Sequence, residues 1–377
     1  MHTVEAGGLA IGPNHPPRIM GIVNLSEESP YEPSVFTDAE DAAGYVDDLI
    51  ADGADIIDVG LESANKRFEV LSAADELEQL HLANDTIASV TGDAVFSIET
   101  RYAEVAEAAI DAGFELVNDI CGFADPAMVD VCAAHGIPAV KMAGPGDIER
   151  PGALSTVDEI YDALAADPLP EQTIIDPAFG GWSEDKTLDV DRETFHRLRE
   201  FQALQRPMLV SINRKNFLRK YVDRSTEDAL PVSLGATALA VERGANVIRT
   251  HDVAATSDAA LIGDAFAADL VRDGELGVEE LDIQTEHDLA RHLDRIGAGR
   301  ARAADGRTRA FELLNLDTID RSLLSHLVEG TTSTLATGRD GDVAILLSTP
   351  RGIRQLSTAI GGESEHLQAI FERLLEA

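Results

Sequence analysis

The sequence predicts an α/β protein: a (β/α)8 TIM barrel followed by a small C-terminal α+β appendage. Three observations carry that prediction. Short apolar runs recur through the first 252 residues, and each ends abruptly in polar or charged residues. Segments with helical spacing separate the runs. The chain of 377 residues also leaves roughly a third of its length beyond a barrel of about 250 residues. Buried parallel strands read as continuous Val/Ile/Leu runs, and their alternation with helices calls for parallel pairing through helical crossovers.

In chain order the strand-like runs are 18–24, 55–60, 95–99, 116–119, 139–142, 173–176, 208–213 and 247–252. Helical spacing falls at 39–52, 72–90, 102–112, 126–135, 156–166, 192–203, 231–243 and 254–272. Eight such units favour a closed barrel over an open doubly wound sheet. No Gly-x-Gly-x-x-Gly follows a strand and no Gly-x-x-x-x-Gly-Lys-Ser/Thr occurs, so dinucleotide and P-loop readings are weak.

Past residue 275 the character changes. The predicted organisation is a barrel over 1–274, a helical linker rich in Arg, Ala and Asp over 275–308, and a small α+β domain over 309–377. That domain reads as a strand at 310–316, a helix at 318–328, a hairpin around 338–341 leading into a strand at 342–348, and an amphipathic helix at 364–375. It shows no catalytic constellation, so oligomerisation or structural support is its expected role.

With 68 acidic against 30 basic residues, the formal net charge is -38 and the pI about 4.4. Such a charge repels nucleic acid and anionic membranes, which excludes both as partners. The acidic residues are dispersed through helical stretches with few lysines, the pattern of a halophilic surface in a salt-rich cytosol. Cys121 and Cys132 read as free thiols. No signal peptide is evident, and no run approaches the roughly 18 apolar residues of a spanning segment. A cytoplasmic protein is expected.

In barrels of this kind the catalytic groups sit where the strands end. The strand-end set is Asn24, Glu99, Asn118, Asp119, Asp176, Asn213, Lys215, Arg249 and His251. Carboxylates and amides at the bottom of a pocket suit a flat heterocycle with several donors and acceptors on one edge. Lys, Arg and His at its mouth suit an anion, Arg by bidentate contacts and Lys as a point charge. A polar ring attached to a phosphate or diphosphate would satisfy the whole set. Simpler roles stand beside these: Asp119 capping the next turn, Asp58 ending its strand, His135 closing a helix before Gly136, and Trp182 plugging a loop.

These segments resemble, in order over about residues 18–270, the dihydropteroate synthase family of pterin-binding barrels. Ile19-Met-Gly-Ile-Val-Asn24 is similar to its opening strand, and Gly53-Ala-Asp-Ile-Ile-Asp-Val-Gly60 followed by Glu62-Ser63 to its second. Val117-Asn-Asp119, Ile175-Asp-Pro177, Asn213-Arg-Lys-Asn-Phe217 and Arg249-Thr-His-Asp-Val253 resemble its fourth, sixth, seventh and last. The resemblance implies condensation of 6-hydroxymethyl-7,8-dihydropterin diphosphate with 4-aminobenzoate, or a related arylamine, releasing diphosphate. It further implies that Asp176, Asn118 and Lys215 hold the pterin, with Met142 against its face. Arg249, His251 and Asn24 would hold the diphosphate, Asn24 through Mg2+. Lys215, Arg249 and His251 would carry the catalysis. A homodimer is also implied, without an assignable contact surface.

The sequence departs from the family pattern in four places. Glu99 stands where the family has Asp, its carboxylate one methylene farther out. The first loop reads Ser26-Glu-Glu-Ser-Pro-Tyr31, the second Ser63-Ala-Asn-Lys-Arg-Phe68 with Arg67 displaced by two positions, and the sixth Gly180-Gly-Trp-Ser-Glu-Asp-Lys186. These loops face the acceptor side, while the anion-binding residues are kept. Two alternatives follow. One is a pterin-binding methyltransferase domain that passes a methyl group from a reduced folate to a corrinoid. The other is a non-catalytic pterin-binding paralogue.

Overall fold

The structure is a computed structural model that describes residues 2–26, 34–62, 70–149, 151–180, 187–273, 276, 278–338 and 343–376. It divides into two compact units, Met1–Asp269 and Leu270–Ala377. The division falls before the boundary expected from composition. Residues 275–308, expected as a helical linker, carry a helix and a 3-10 turn and fall within the second unit.

The first unit opens with an antiparallel hairpin of β1 (Val4–Ala6) and β2 (Leu9–Ile11). Eight parallel strands follow: β3 (Arg18–Asn24), β4 (Ile56–Gly60), β5 (Val95–Glu99), β6 (Leu116–Asp119), β7 (Ala139–Met142), β8 (Thr173–Asp176), β9 (Leu209–Ser211) and β10 (Val247–Thr250). Their order in the sheet is β8-β7-β6-β5-β4-β3-β10-β9. The ring closes through a parallel bridge between Ile175 and Met208, with Ile175 N donating to Pro207 O at 2.9 Å. The predicted barrel is therefore present, with all eight expected runs as its strands.

Its crossovers are α1 (Ala39–Ala51), α2 (Ala73–Ser89), α3 (Ala103–Asp111), α4 (Met128–His135), α5 (Val157–Ala165), α6 (Leu188–His196), α7 (Asn216–Tyr221), α8 (Leu230–Glu242) and α9 (Val253–Ala265). Side chains start several of them. Asp38 accepts from Glu40 N and Asp41 N, Ser72 and Asp75 form a reciprocal capping box, and Thr156 accepts from Glu159 N. His135 does end α4 before a left-handed Gly136, the end-of-helix role expected for it. The sequence reading did not include α7, and two other helices differ from it in their bounds. The one expected at 192–203 is α6, starting earlier, followed by a 3-10 turn over Leu198–Leu204. The one expected to reach 272 stops at Ala265, where Phe266 is left exposed and the apolar spacing lapses.

The barrel interior is layered. Met20, Ile56, Val95, Leu116, Val140, Ile174, Leu209 and Val247, one from each strand, pack with Val4, Ala6 and Ile11 of the hairpin. The hairpin thus seals the N-terminal mouth with apolar side chains, and polar groups collect at the other end. Nothing in its short, weakly patterned sequence announced that role.

The second unit contains a two-stranded ribbon of β11 (Arg272–Asp273) and β12 (Val278–Glu279), then α10 (Glu286–Arg295) and a 3-10 turn at Arg300–Asp305. A Cβ on Gly306 would lie 2.0 Å from Leu289 Cδ2, so glycine lets this turn press against α10. An antiparallel sheet in the order β13-β15-β14 follows, made of β13 (Arg309–Leu313), β14 (Thr334–Thr337) and β15 (Ala344–Ser348). With it pack α11 (Thr318–Val328), α12 (Pro350–Ile360) and α13 (Glu365–Glu376). Leu313, Leu324, Leu346, Leu356, Leu367 and Phe371 form its core. The expected α+β character holds, although α12 and β14 escaped the sequence reading. The turn expected at 338–341 lies largely outside the described residues.

Candidate functional site

A strand of a closed barrel alternates its side chains between the lumen and the helices, so only some strand-end residues face one another. The geometry shows which. Asp58, in β4, is fully buried and stands at the centre of a network. Its Oδ1 accepts from Ser97 Oγ at 2.8 Å. Its Oδ2 accepts from Asn118 Nδ2 at 2.9 Å and from Arg249 Nε at 2.7 Å. Arg249 Nη2 donates to Glu99 Oε2 at 2.6 Å. Four strands, β4, β5, β6 and β10, are thereby tied together by charged and polar side chains on the barrel's lumen.

The remaining predicted residues border this network. Met142 and Asp176 are register partners at the ends of β7 and β8, both buried, and Asp176 Oδ1 accepts from Ala178 N at 2.7 Å. Asp176 lies close enough to Arg249 to help hold its proton. Lys215 Nζ donates to Phe179 O at 2.8 Å. Asn24 Nδ2 donates to Ser34 Oγ at 2.9 Å, and a Cβ on Gly60 would meet Asn24 Oδ1 at 3.2 Å and Glu99 Oε1 at 4.0 Å. Glycine at 60 therefore lets Asn24 and Glu99 flank one gap in the wall. Asn24, Glu99, Asn118, Met142, Asp176, Lys215, Arg249 and His251 all fall at this end of the barrel.

Charge states follow from burial and neighbours. Burial works to strip the proton from Arg249, but Asp58 and Glu99 outweigh it and hold the guanidinium above its ordinary range. Burial pushes the Glu99 carboxyl up, with Asp58 and Glu62 adding to the push and Arg249 opposing it. His251 is driven down to about 3 by burial and then by the adjacent Arg249, Lys215 and Arg214 cations, with Asp252 opposing. In the substrate-free barrel it is thus a neutral imidazole at neutral pH, not one of the cations. An incoming dianion would raise it again.

Three further arrangements were not expected. Asp58 was read as the end of its strand, yet it orients Asn118 and Arg249. The signal was a lone carboxylate inside the run Ile56-Ile-Asp-Val59. Arg101, nearly fully buried just past β5, pairs with Glu62 and lies 3.8 Å from Glu76, which also accepts from Thr100 Oγ1 at 2.6 Å. Arg214, at a left-handed φ of 45°, forks onto Asp252 with bonds of 2.9 and 2.8 Å, locking the loop after β9 to the loop after β10. Asp119 takes its simpler role, accepting from Cys121 N and Phe123 N at 2.7 and 3.1 Å. The first loop past Ser26, the second loop with Arg67, and Trp182 to Lys186 lie outside the described residues. Cys121 and Cys132 are buried free thiols, and among the described residues no helix is long and apolar enough to cross a membrane.

Comparison with known proteins agrees with this geometry. Residues 20–251 match the family described as pterin binding enzyme. A dihydropteroate synthase of Clostridium beijerinckii is 31% identical over 253 residues, covering 65% of this chain and 93% of its own. A probable bifunctional folylpolyglutamate synthase/dihydropteroate synthase of Halobacterium salinarum is 31% identical over 247 residues, 62% of this chain. The chain spans only about 30% of that relative's length. Among solved structures, a dihydropteroate synthase of Coxiella burnetii in complex with pteroic acid has a TM-score of 0.60 at 27% identity, covering 70% of this chain and 98% of its own. That of Thermus thermophilus in complex with 4-aminobenzoate has a TM-score of 0.58 at 27% identity, covering 70% and 99%. By strand order, site and sequence, the chain belongs to the dihydropteroate synthase family of pterin-binding enzymes.

Proposed function

We propose that the barrel condenses 6-hydroxymethyl-7,8-dihydropterin diphosphate with 4-aminobenzoate, or a related arylamine, giving dihydropteroate and diphosphate. The observation that carries this reading is the meeting of two kinds of surface in one mouth. Asp58, Glu99, Asn118 and Asp176 form an acid and amide wall suited to a heterocycle, and Arg249 and Lys215 stand beside a neutral His251 where an anion would lie. The relatives named above support it.

In the reaction a C–N bond forms between the arylamine nitrogen and the pterin methylene, the C–O bond to diphosphate breaks, and the amine loses a proton. The methylene cation that develops is stabilised by the ring, so the site must keep the pterin electron-rich and neutralise the departing charge. Asp176, with Asn118 oriented by Asp58, serves the first need. Arg249 and Lys215 serve the second as preorganised cations, and His251 supplies a hydrogen bond to a diphosphate oxygen. Because Arg249 Nε and Nη2 are engaged by Asp58 and Glu99, the guanidinium is held rigidly, and diphosphate is met by its remaining donors.

Mg2+ fits this arrangement as an ion carried mainly by diphosphate. Among the described residues no group of three or more His, Cys, Asp or Glu is placed to hold a metal. Asn24 offers a single neutral oxygen, its amide nitrogen being spent on Ser34. Magnesium is commonly held by one or two protein ligands plus phosphate oxygens and water, and it would supply charge neutralisation of the leaving group. α8 and α9 expose Leu239, Leu261 and Ile262, with Phe266 just past the end of α9, which supports a homodimer. The dispersed negative charge supports work in a salt-rich cytoplasm.

Two substitutions test the assignment. Asp176→Ala is expected to lose pterin binding, whereas His251→Ala keeps pterin binding and slows diphosphate release. Normal turnover in both variants would move the chemistry elsewhere. A methyl transfer from a reduced folate has no departing diphosphate and gives Arg249, Lys215 and His251 nothing to hold.

A further inference from the structure

We infer that the second unit carries its own small-molecule site, for a ligand that joins a carboxylate or phosphate to a compact apolar body. The site is a cleft of about 430 Å³ formed wholly within that unit, at the low end of the range of ligand pockets. Three arginines from two stretches of chain reach it: Arg307 just before β13 and Arg309 at its start, and Arg354 on α12. Ile353, Leu374 and Pro350 supply apolar walls.

Charge makes this cleft unusual. Residues 270–377 contain 19 acidic residues, 12 arginines and no lysine, and the whole chain carries -38. Against that background, among the described residues three arginines line the cleft with one carboxylate, Glu286. Two of the guanidiniums are steadied by neighbours. Arg307 Nη1 donates to Gln284 O, and the Arg309 guanidinium lies 4.9 Å from the centre of the Phe311 ring. Arg354 is half-exposed and lies 3.5 Å from Glu286, a weak surface pair that an incoming anion can replace. The first turn of the ten-residue α10, capped by Thr285, opens on the same space and adds a positive helix end. The fork of a guanidinium matches both carboxylate and phosphate, and adjacent apolar walls favour an attached aromatic or aliphatic body.

Glu286 has the opposite effect to the arginines, because it occupies Arg354 when the cleft is empty. The proposal therefore predicts opposite signs for two neighbouring substitutions, which a general loss of stability would not produce. Binding of benzoate and of phenyl phosphate to the full chain is measured by calorimetry at fixed KCl, with thermal melting to check folding. The double variant Arg309→Gln/Arg354→Gln should bind at least about tenfold more weakly, as expected for lost charged hydrogen bonds. Glu286→Gln should bind more tightly. Arg249→Gln, in the barrel, should leave this binding intact, and the double variant should leave diphosphate release intact, so failure here is separable from failure of the barrel assignment. Stronger binding of phenyl phosphate assigns a phosphate ligand, and stronger binding of benzoate a carboxylate. The proposal is overturned if neither probe binds outside the Arg249 site, or if the double variant and Glu286→Gln both bind as the unsubstituted chain does.

Discussion

The two mouths of the barrel are built from the same eight strands and have opposite chemistry. At the N-terminal mouth each strand contributes one apolar side chain to a layer closed by Val4, Ala6 and Ile11 of the hairpin. At the C-terminal mouth the strands contribute Asp58, Glu99, Asn118 and Arg249, held against one another by short polar contacts, with Asp176 beside them. Burial drives the first end, where removal of apolar surface from water is favourable whatever the pairing. The second end is buried at a cost that only mutual pairing offsets. One end of each strand therefore secures the fold, and the other is free to be chosen for chemistry.

The largest effect should come from breaking the centre of the polar mouth. Asp58→Ala leaves Arg249 and Asn118 without their shared acceptor, and removal of one partner of a buried pair costs about 3–5 kcal/mol. Denaturant unfolding should show that loss together with a collapse of turnover. A variant that kept both stability and turnover would remove Asp58 from the centre of the account. At the sealed mouth the outcome should be one-sided. Ile11→Ala empties part of the apolar layer and should cost roughly 2–5 kcal/mol, while KM for the pterin substrate stays unchanged in the folded fraction. A shifted KM would mean that the two mouths are coupled.

The smallest effect concerns pH. Burial raises the Glu76 carboxyl to about 7, against the opposing pull of Thr100 and Arg101, and Glu62 and Glu99 add to the rise. A carboxyl whose folded value lies above its unfolded one binds more protons when folded. Its stabilising contribution is full below about 4.5 and is lost as pH rises through about 7. Glu76→Gln should therefore flatten the fall in melting temperature between about pH 4.5 and pH 7. An unchanged slope would mean that Glu76 is not a source of the pH dependence.

The barrel was legible in the sequence because its strands are buried on both faces, so that each reads as an apolar run with a sharp polar end. The polar residues that gather at the C-terminal mouth were legible for the same reason. Asp58 was misread because it sits inside its run rather than after it, and a sequence does not show that Ser97, Asn118 and Arg249 converge on it. The neutral state of His251 was equally hidden, since it arises from burial and from cations that the fold brings near it. The hairpin escaped because strands of three residues give too little alternation to register. The close approach of Gly306 to Leu289 of α10 is a contact that composition does not encode.

The most direct test of the central claim is diphosphate release by the full chain in concentrated KCl with Mg2+ and 6-hydroxymethyl-7,8-dihydropterin diphosphate, with and without 4-aminobenzoate. The account predicts release that depends on 4-aminobenzoate, with dihydropteroate formed in equal amount. Pterin binding with no release on adding the arylamine would contradict it and identify a pterin-binding paralogue without turnover.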